Sequence, residues 1–277
     1  AKALAKASGI SSGMFFVNHS ANWRKQTKAA QECVSGGHLG DLRFVSCFMG
    51  SPLAWIFDDP NCTNWNKPSK LMQQRGIGNG FGWGQTSHML AWIFQVTGLI
   101  PQKVFCAMSH SQVTGADIYN TAVIFCENGA KISLDGTGVI PGNAHGSKPV
   151  GKLIETKVFG DLGMMTYSGD DLLPESGALS VQRHDSKHED PNLSLFGKYP
   201  HNKGVLSGGF HFENTDPEGL GPESLRAFLA TCGDTASGMH VQDKYNGADA
   251  SIGLKTVQVI DAMYRSASSE TVVNIDI

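Results

Sequence analysis

Apolar and polar positions follow two different rhythms along this chain of 277 residues. The first hundred residues carry helical spacing broken by short apolar runs. Ala1 to Ser8 reads as a helix that Gly9 ends. Met14 to Val17 (MFFV) reads as a short buried strand, Thr27 to Val34 as a second helix closed by Gly36-Gly37, and Leu42 to Phe48 as a further strand. Strand, helix and strand in succession predict a parallel βαβ unit. Pro52 to Gly84 is polar, rich in Trp and Gly, and without periodicity. A loop of that length inside a domain is usually functional. Gln85 to Val96 then predicts a helix capped by Gly98.

After Pro101 the period shortens to two. VFCAMSH, IYNTAVIFC, AKISLDGTGV, KLIETKVFG and MMTYSG are strand-like runs separated by Gly or Asn turns, with Asn128-Gly129 as a hairpin signal. No helical stretch separates them, so the sheet they form is predicted to be largely antiparallel. Ser186 to Gly221, charged and rich in His, Gly and Pro, reads as loop. Glu223 to Thr231 predicts a helix with Pro222 at its start. Asp249 to Ser266 predicts a long helix with Ile252, Val259 and Met263 among its apolar positions, and Thr271 to Ile275 a closing strand. The predicted fold class is α/β followed by α+β: a βα piece, then a domain built on an open antiparallel sheet.

Composition narrows the function classes. Hydrophobic residues at 40% and charged residues at 17% imply a folded core and exclude disorder. The length allows one large domain or one plus a fraction. The longest apolar stretch, Met89 to Val96, is too short to span a membrane. A net charge of -3 offers no basic footprint for nucleic acid. The 33 glycines imply many tight turns or close backbone approaches. Cys33, Cys47, Cys62, Cys106, Cys126 and Cys232 are scattered with neither CxxC nor metal spacing. Their even number invites a disulfide reading, but a chain of this length needs no staples. No signal peptide is recognisable, so they read instead as reduced thiols of a cytoplasmic protein. The opening AKALAKASG, without an initiator Met, reads as the middle of something longer.

Four features are candidates for chemistry. In the run Gly76 to Gly84, GIGNGFGWG, the third glycine of a dinucleotide fingerprint is replaced in every frame, by Phe81, Trp83 or Gln85. The run is therefore predicted to be a loop that brings backbone close to a ligand and leads into a helix, with a plain flexible turn as the alternative. His88, in the first turn of that helix, is a candidate acid or base, against a structural role. His19 follows the predicted strand MFFV directly, with Asn18 and Trp23 beside it, where parallel sheets place their ligands. His184, His188, His201 and His211 lack the setting of a metal site and read as a solvated loop, as Asp170-Asp171 reads as a turn.

Three stretches together resemble the glucose-fructose oxidoreductase / inositol dehydrogenase / rhizopine-catabolism (Gfo/Idh/MocA) family: Val17 to Ser46, Gly82 to Met108, and Gly247 to Ile275. The resemblance implies an NAD(P)-dependent oxidoreductase of sugars, polyols or related hydroxy compounds. It implies a Rossmann domain followed by a dihydrodipicolinate-reductase-like α+β domain, whose large open, mostly antiparallel sheet carries the substrate pocket and often the oligomer interface. On that basis residues 1–50 are the C-terminal remnant of a Rossmann domain, and residues 51–277 the substrate-binding and oligomerisation domain. His88 falls on the family histidine that exchanges a proton with the reacting hydroxyl. Gln85, Trp83, His19 and Trp23 fall on the substrate side, and Asn18 and His19 beside the NAD or NADP. A sugar or polyol ligand and a homo-oligomer follow as the implied partners.

The departures matter equally. The acidic residue common four positions before the histidine is Gly84 here, and an arginine common in the first turn is Asn22. The family's GxGxxG and Glu-Lys-Pro motifs do not occur; the resemblance places them upstream of Ala1. The chain alone is therefore predicted to bind nucleotide poorly and to leave a bare strand edge near Met14 to Val17. A truncated non-catalytic relative, and a lyase or hydrolase using NAD transiently, are the alternatives.

Overall fold

A computed structural model describes residues 1–10, 15–23, 25–62, 79–143, 147–148, 150–169, 177–185, 205–208, 225, 228–229, 232 and 249–276. In chain order these form α1 (Lys2–Ile10), a 3₁₀ turn (Ser20–Trp23), α2 (Lys25–Ser35), β1 (Leu42–Gly50), α3 (Ala54–Phe57), a π turn (Gly82–Thr86) and α4 (Ser87–Thr97). There follow β2 (Pro101–His110), β3 (Asp117–Cys126), β4 (Lys131–Thr137), β5 (Leu153–Gly160), β6 (Gly163–Gly169), β7 (Gly177–Arg183), β8 (Val205–Gly208), α5 (Ala250–Ser269) and β9 (Val273–Asn274).

All nine strands join one open sheet in the order β8-β7-β6-β5-β1-β4-β3-β2-β9. Every pairing is antiparallel except β1 with β4, which run parallel with Val45 opposite Ile132 and Cys47 opposite Leu134. Period-two burial sorts the two faces. Val45, Cys47, Val104, Cys106, Ala122, Ile124, Ile132, Leu134, Val158 and Met165 point into the core. Phe44, Phe48, Phe105, Tyr119 and Leu153 stay exposed on the opposite face. Helices α4 and α5 pack together, α4 against β1 and α5 against β2. Met89 to Phe94 of α4 are buried without a break, so the helix is enclosed on every side. The Asp249 carboxylate caps α5 by accepting from the Ile252 N–H at 2.9 Å, and Gly98, at φ 65°, ends α4.

Several sequence expectations are corrected. Phe15 to Val17, the described part of that run, form no strand, so the described residues there make neither a βαβ unit nor a bare strand edge. Residues 42–50 form β1, which lies between β4 and β5 in the sheet. The helix of His88 starts earlier than Gln85, because the π turn already occupies Gly82–Thr86. Residues 205–208, within the predicted loop, make β8, and β9 is shorter than the run Thr271 to Ile275. Of the helix predicted at 223–231 only Leu225, Phe228 and Leu229 are described, all helical. His188, His201, His211, Asp170 and Asp171 lie outside the described residues, and His184 is exposed just after β7. All six cysteines are free, and burial pushes Cys47 and Cys106 up to about 12. No helix among the described residues is long and apolar enough to cross a membrane.

Candidate active site around His88

The glycine run ends in a π turn, a widened turn frequent at functional sites. The close approach that Gly80 and Gly82 allow is toward the protein itself. At Gly80, φ is +130° and a Cβ would lie 2.5 Å from the Asp117 carbonyl oxygen. The Asp117 N–H donates to the Asn79 carbonyl at 3.0 Å. The Gly82 N–H donates to Asp117 Oδ2 at 2.7 Å, and the Tyr264 hydroxyl donates to Asp117 Oδ1. Further along the turn, Asn120 Nδ2 donates to Thr86 Oγ1 at 3.1 Å. Both ends of the turn are thereby tied to β3. Asp117 is the only carboxylate among the buried described residues. Burial pushes it above the ordinary carboxylate range, and the Tyr264 and Gly82 donors pull it back.

The turn delivers His88 to the second position of α4, half-buried, with its Nδ1 enclosed. His19 meets it edge-on, the ring centroids 5.6 Å apart at 87°. Two clamps hold the segment of His19 against α4. Asn22, fully buried, donates from Nδ2 to the Ala91 carbonyl at 3.1 Å. Trp92 Nε1 donates to Thr27 Oγ1 at 2.9 Å, and that hydroxyl donates to the Ala21 carbonyl at 2.6 Å. His19 is 7% exposed, and burial lowers its pKa from 6.5 to about 4, so it is neutral near pH 7.

Next to the two histidines lies a cavity of about 200 Å³. His19, Trp83 and Ser87 line it together with Leu4, Val17 and Ile260. Trp83 stacks on Tyr264, ring centroids 6.0 Å apart and 13° from parallel. On described residues that line this cavity, His19 Nδ1, Trp83 Nε1 and Thr256 Oγ1 are buried with no hydrogen-bond partner, as is Gln85 Oε1 in the π turn. Buried polar atoms are rarely left so, and four in one neighbourhood mark a place where a polar ligand would find donors and an acceptor. Of the residues predicted from sequence, His19, Trp83 and His88 are thus brought together. Gln85 sits in the π turn between Trp83 and His88. Asn18 is exposed, and Trp23 closes the 3₁₀ turn with its side chain outside the described part. Asp117, Tyr264 and Asn120 were not among the candidates read from sequence. The one local signal, for Asp117 alone, is an aspartate opening a largely apolar strand.

Residues 27–166 match the family model described as the GFO/IDH/MocA C-terminal domain. A search of curated proteins finds no match. Among solved structures, an NAD binding oxidoreductase from Klebsiella pneumoniae is similar over 100% of this chain and 70% of its own, at 14% identity and TM-score 0.66. The WlbA dehydrogenase from Bordetella pertussis, in complex with NADH and UDP-GlcNAcA, is similar over 100% of this chain and 68% of its own, at 14% identity and TM-score 0.61. A levoglucosan dehydrogenase, in complex with NADH and L-sorbose, is similar over 99% of this chain and 69% of its own, at 16% identity and TM-score 0.60. The likeness is one of fold, and the chain spans 63% to 70% of the length of such structures.

Proposed function

The chain belongs to the GFO/IDH/MocA family of NAD(P)-dependent oxidoreductases, and from that premise we propose that it acts on a sugar, polyol or related hydroxy compound, with His88 exchanging the hydroxyl proton. The observation that carries this reading is the His88–His19 pair set beside an apolar cavity and four orphaned buried polar atoms. A nicotinamide nucleotide, when bound, supplies the hydride acceptor or donor. The residues present suit the ring end of such a nucleotide, near His19 and Asn18, and not its phosphates, because no GxGxxG occurs in the sequence. We assign the described residues before Leu42, with α1 and α2, to the close of a nucleotide-binding domain.

Each side chain then has a stated task. His88 holds the proton that the substrate hydroxyl gives or takes. His19 stays neutral, so it does not repel the imidazolium that His88 becomes. Trp83 Nε1 offers a donor and Gln85 Oε1 an acceptor for substrate hydroxyls. The apolar wall of the cavity keeps water from the reacting carbon. The outer face of the sheet is assigned to self-association.

The test is a panel of sugars and polyols with both nicotinamide nucleotides, followed by nicotinamide absorbance, on the protein together with its nucleotide-binding part. His88→Ala is expected to lower kcat by roughly 10²- to 10⁴-fold while nucleotide affinity is retained. Nucleotide binding without turnover across the panel would remove the dehydrogenase reading in favour of a ligand-binding relative. Turnover unchanged in His88→Ala would remove His88 from the mechanism.

A further inference from the structure

We propose that Asp117 and Tyr264 are positioning residues: together they form a latch, reaching in from β3 and α5, that fixes the π turn and so sets where Trp83 and Gln85 stand beside His88. The inference rests on the site reading above for its functional consequence, and on geometry alone for the latch itself.

A helix start leaves its first backbone N–H groups without internal partners, and a side chain normally supplies one. Phe81, at the N-cap position of the π turn, makes no side-chain cap. The cap comes from 35 residues away, through the 2.7 Å bond from the Gly82 N–H to Asp117 Oδ2. The other oxygen of the same carboxylate takes the Tyr264 hydroxyl. The backbone of Asp117 is committed as well: it forms a parallel bridge with Gly80 and donates to the Asn79 carbonyl. Three independent bonds thus converge on one residue that is buried from solvent. Tyr264 works twice, since the ring whose hydroxyl reaches Asp117 also stacks on Trp83. A Cβ at Gly82 would sit 2.7 Å from the Tyr264 hydroxyl oxygen, so the turn and the tyrosine are fitted with no spare room. Trp83 lines the cavity with His19 and Ser87, so any shift of the turn is transmitted to the cavity wall.

Such a junction is more than a core contact. A core contact holds an element somewhere; this one sets the rotation of a turn that carries an orphaned indole N–H and an orphaned amide oxygen, five and three residues upstream of His88.

Tyr264→Phe removes one hydroxyl and keeps the stacking ring. Asp117→Asn keeps the shape and removes the charge. In each variant of the full chain, amide hydrogen exchange is measured over residues 80–86, and the Trp83 indole N–H resonance, assigned with Trp83→Phe, is followed by NMR. The latch predicts that Gly82 amide exchange accelerates about tenfold or more while amides of β1, β4 and β5 are unchanged, and that the Trp83 signal moves. Unchanged exchange and an unmoved Trp83 signal in both variants would overturn it. Should Asp117→Asn fail to fold, Tyr264→Phe carries the test alone. In the protein with its nucleotide-binding part, Tyr264→Phe is further expected to raise KM for the hydroxy substrate about fivefold or more, with kcat and nucleotide affinity nearly unchanged. A fall in kcat with KM unchanged would overturn the positioning role. If no substrate is turned over at all, the dehydrogenase reading falls and the latch still stands or falls on the exchange data.

Discussion

His19 couples the chemistry of the site to the stability of the fold. Its ring is buried without a partner for Nδ1, so the protonated form is disfavoured in the folded chain and free to form in the unfolded one. Above pH 6.5 both states hold a neutral ring. Between 6.5 and about 4 the unfolded state binds a proton that the folded state refuses, so the stability present above 6.5 is lost as pH falls through about 4. At about 1.4 kcal/mol per pH unit of displacement, His19 alone accounts for a loss of about 3 kcal/mol across that window. His19→Phe keeps an aromatic ring against His88 and cannot titrate. Urea denaturation is expected to show the parent losing about 3 kcal/mol more than His19→Phe on acidification. Parallel profiles for the two would show that His19 is not shielded as drawn. The comparison must be a difference between variant and parent, because Asp117 tilts the other way. Its carboxyl is raised by burial, so it favours the fold at low pH and loses that contribution as pH rises.

At the scale of elements, the π turn and β3 form one unit through Gly80. A side chain there would meet the Asp117 backbone, which cannot swing aside as a flexible side chain can, and would have to adopt φ +130°. Gly80→Ala is therefore expected to cost more than about 1 kcal/mol, and of order 1–3 kcal/mol from overpacking, read as a lower midpoint in urea at unchanged m-value. A variant as stable as the parent would show that the bridge between Gly80 and Asp117 does not form. This unit also marks the limit of what the sequence made legible. Helices α2, α4 and α5 and strands β1 to β6 follow from local period, cap and turn chemistry, as do the antiparallel ladders of β2 with β3, β3 with β4 and β5 with β6. Helix α1, by contrast, runs through Gly9 to Ile10, and β7 and β8 fall outside the strand-like runs of the sequence. The parallel pairing of β1 with β4 does not, because nothing in either run states which distant strand it meets. MFFV carries strand composition, yet Phe15 to Val17 make no ladder, since composition supplies no partner. His88 and His19 were legible as candidates through residue type and position, and Trp83 only through the family resemblance. Asp117 was not, because what makes it special is burial among residues from 35 positions before it to 147 after it.

At the scale of the whole molecule, the described residues leave one face of the sheet that the described helices do not cover. On the outer surface of the sheet, Phe44, Phe48, Phe105, Tyr119 and Leu153 are between 38% and 54% exposed. Phe44 packs on Phe159, ring centroids 5.9 Å apart, and the Lys103 ammonium lies 5.2 Å from the centroid of the Phe125 ring. Seven of the strands are seven to ten residues long. At about 4.8 Å between strands and about 3.3 Å per residue they offer a surface of roughly 800 Å². A standard protein interface takes about 800 Å² from each partner, so this face is large enough to hold a second copy. The mixture of aromatic rings with Lys131, Lys157, Asp135 and Glu155 in neighbouring rows favours an isologous contact, in which each charge meets the opposite charge of the twofold-related copy. Light scattering and sedimentation are expected to show a dimer or higher oligomer for the parent. Phe44→Ser with Phe48→Ser, which touches no core position, is expected to give a folded monomer with unchanged far-UV circular dichroism. A monomeric parent, or a double variant that assembles as the parent does, would move the interface away from the sheet and leave its exposed aromatics to be explained by some other partner.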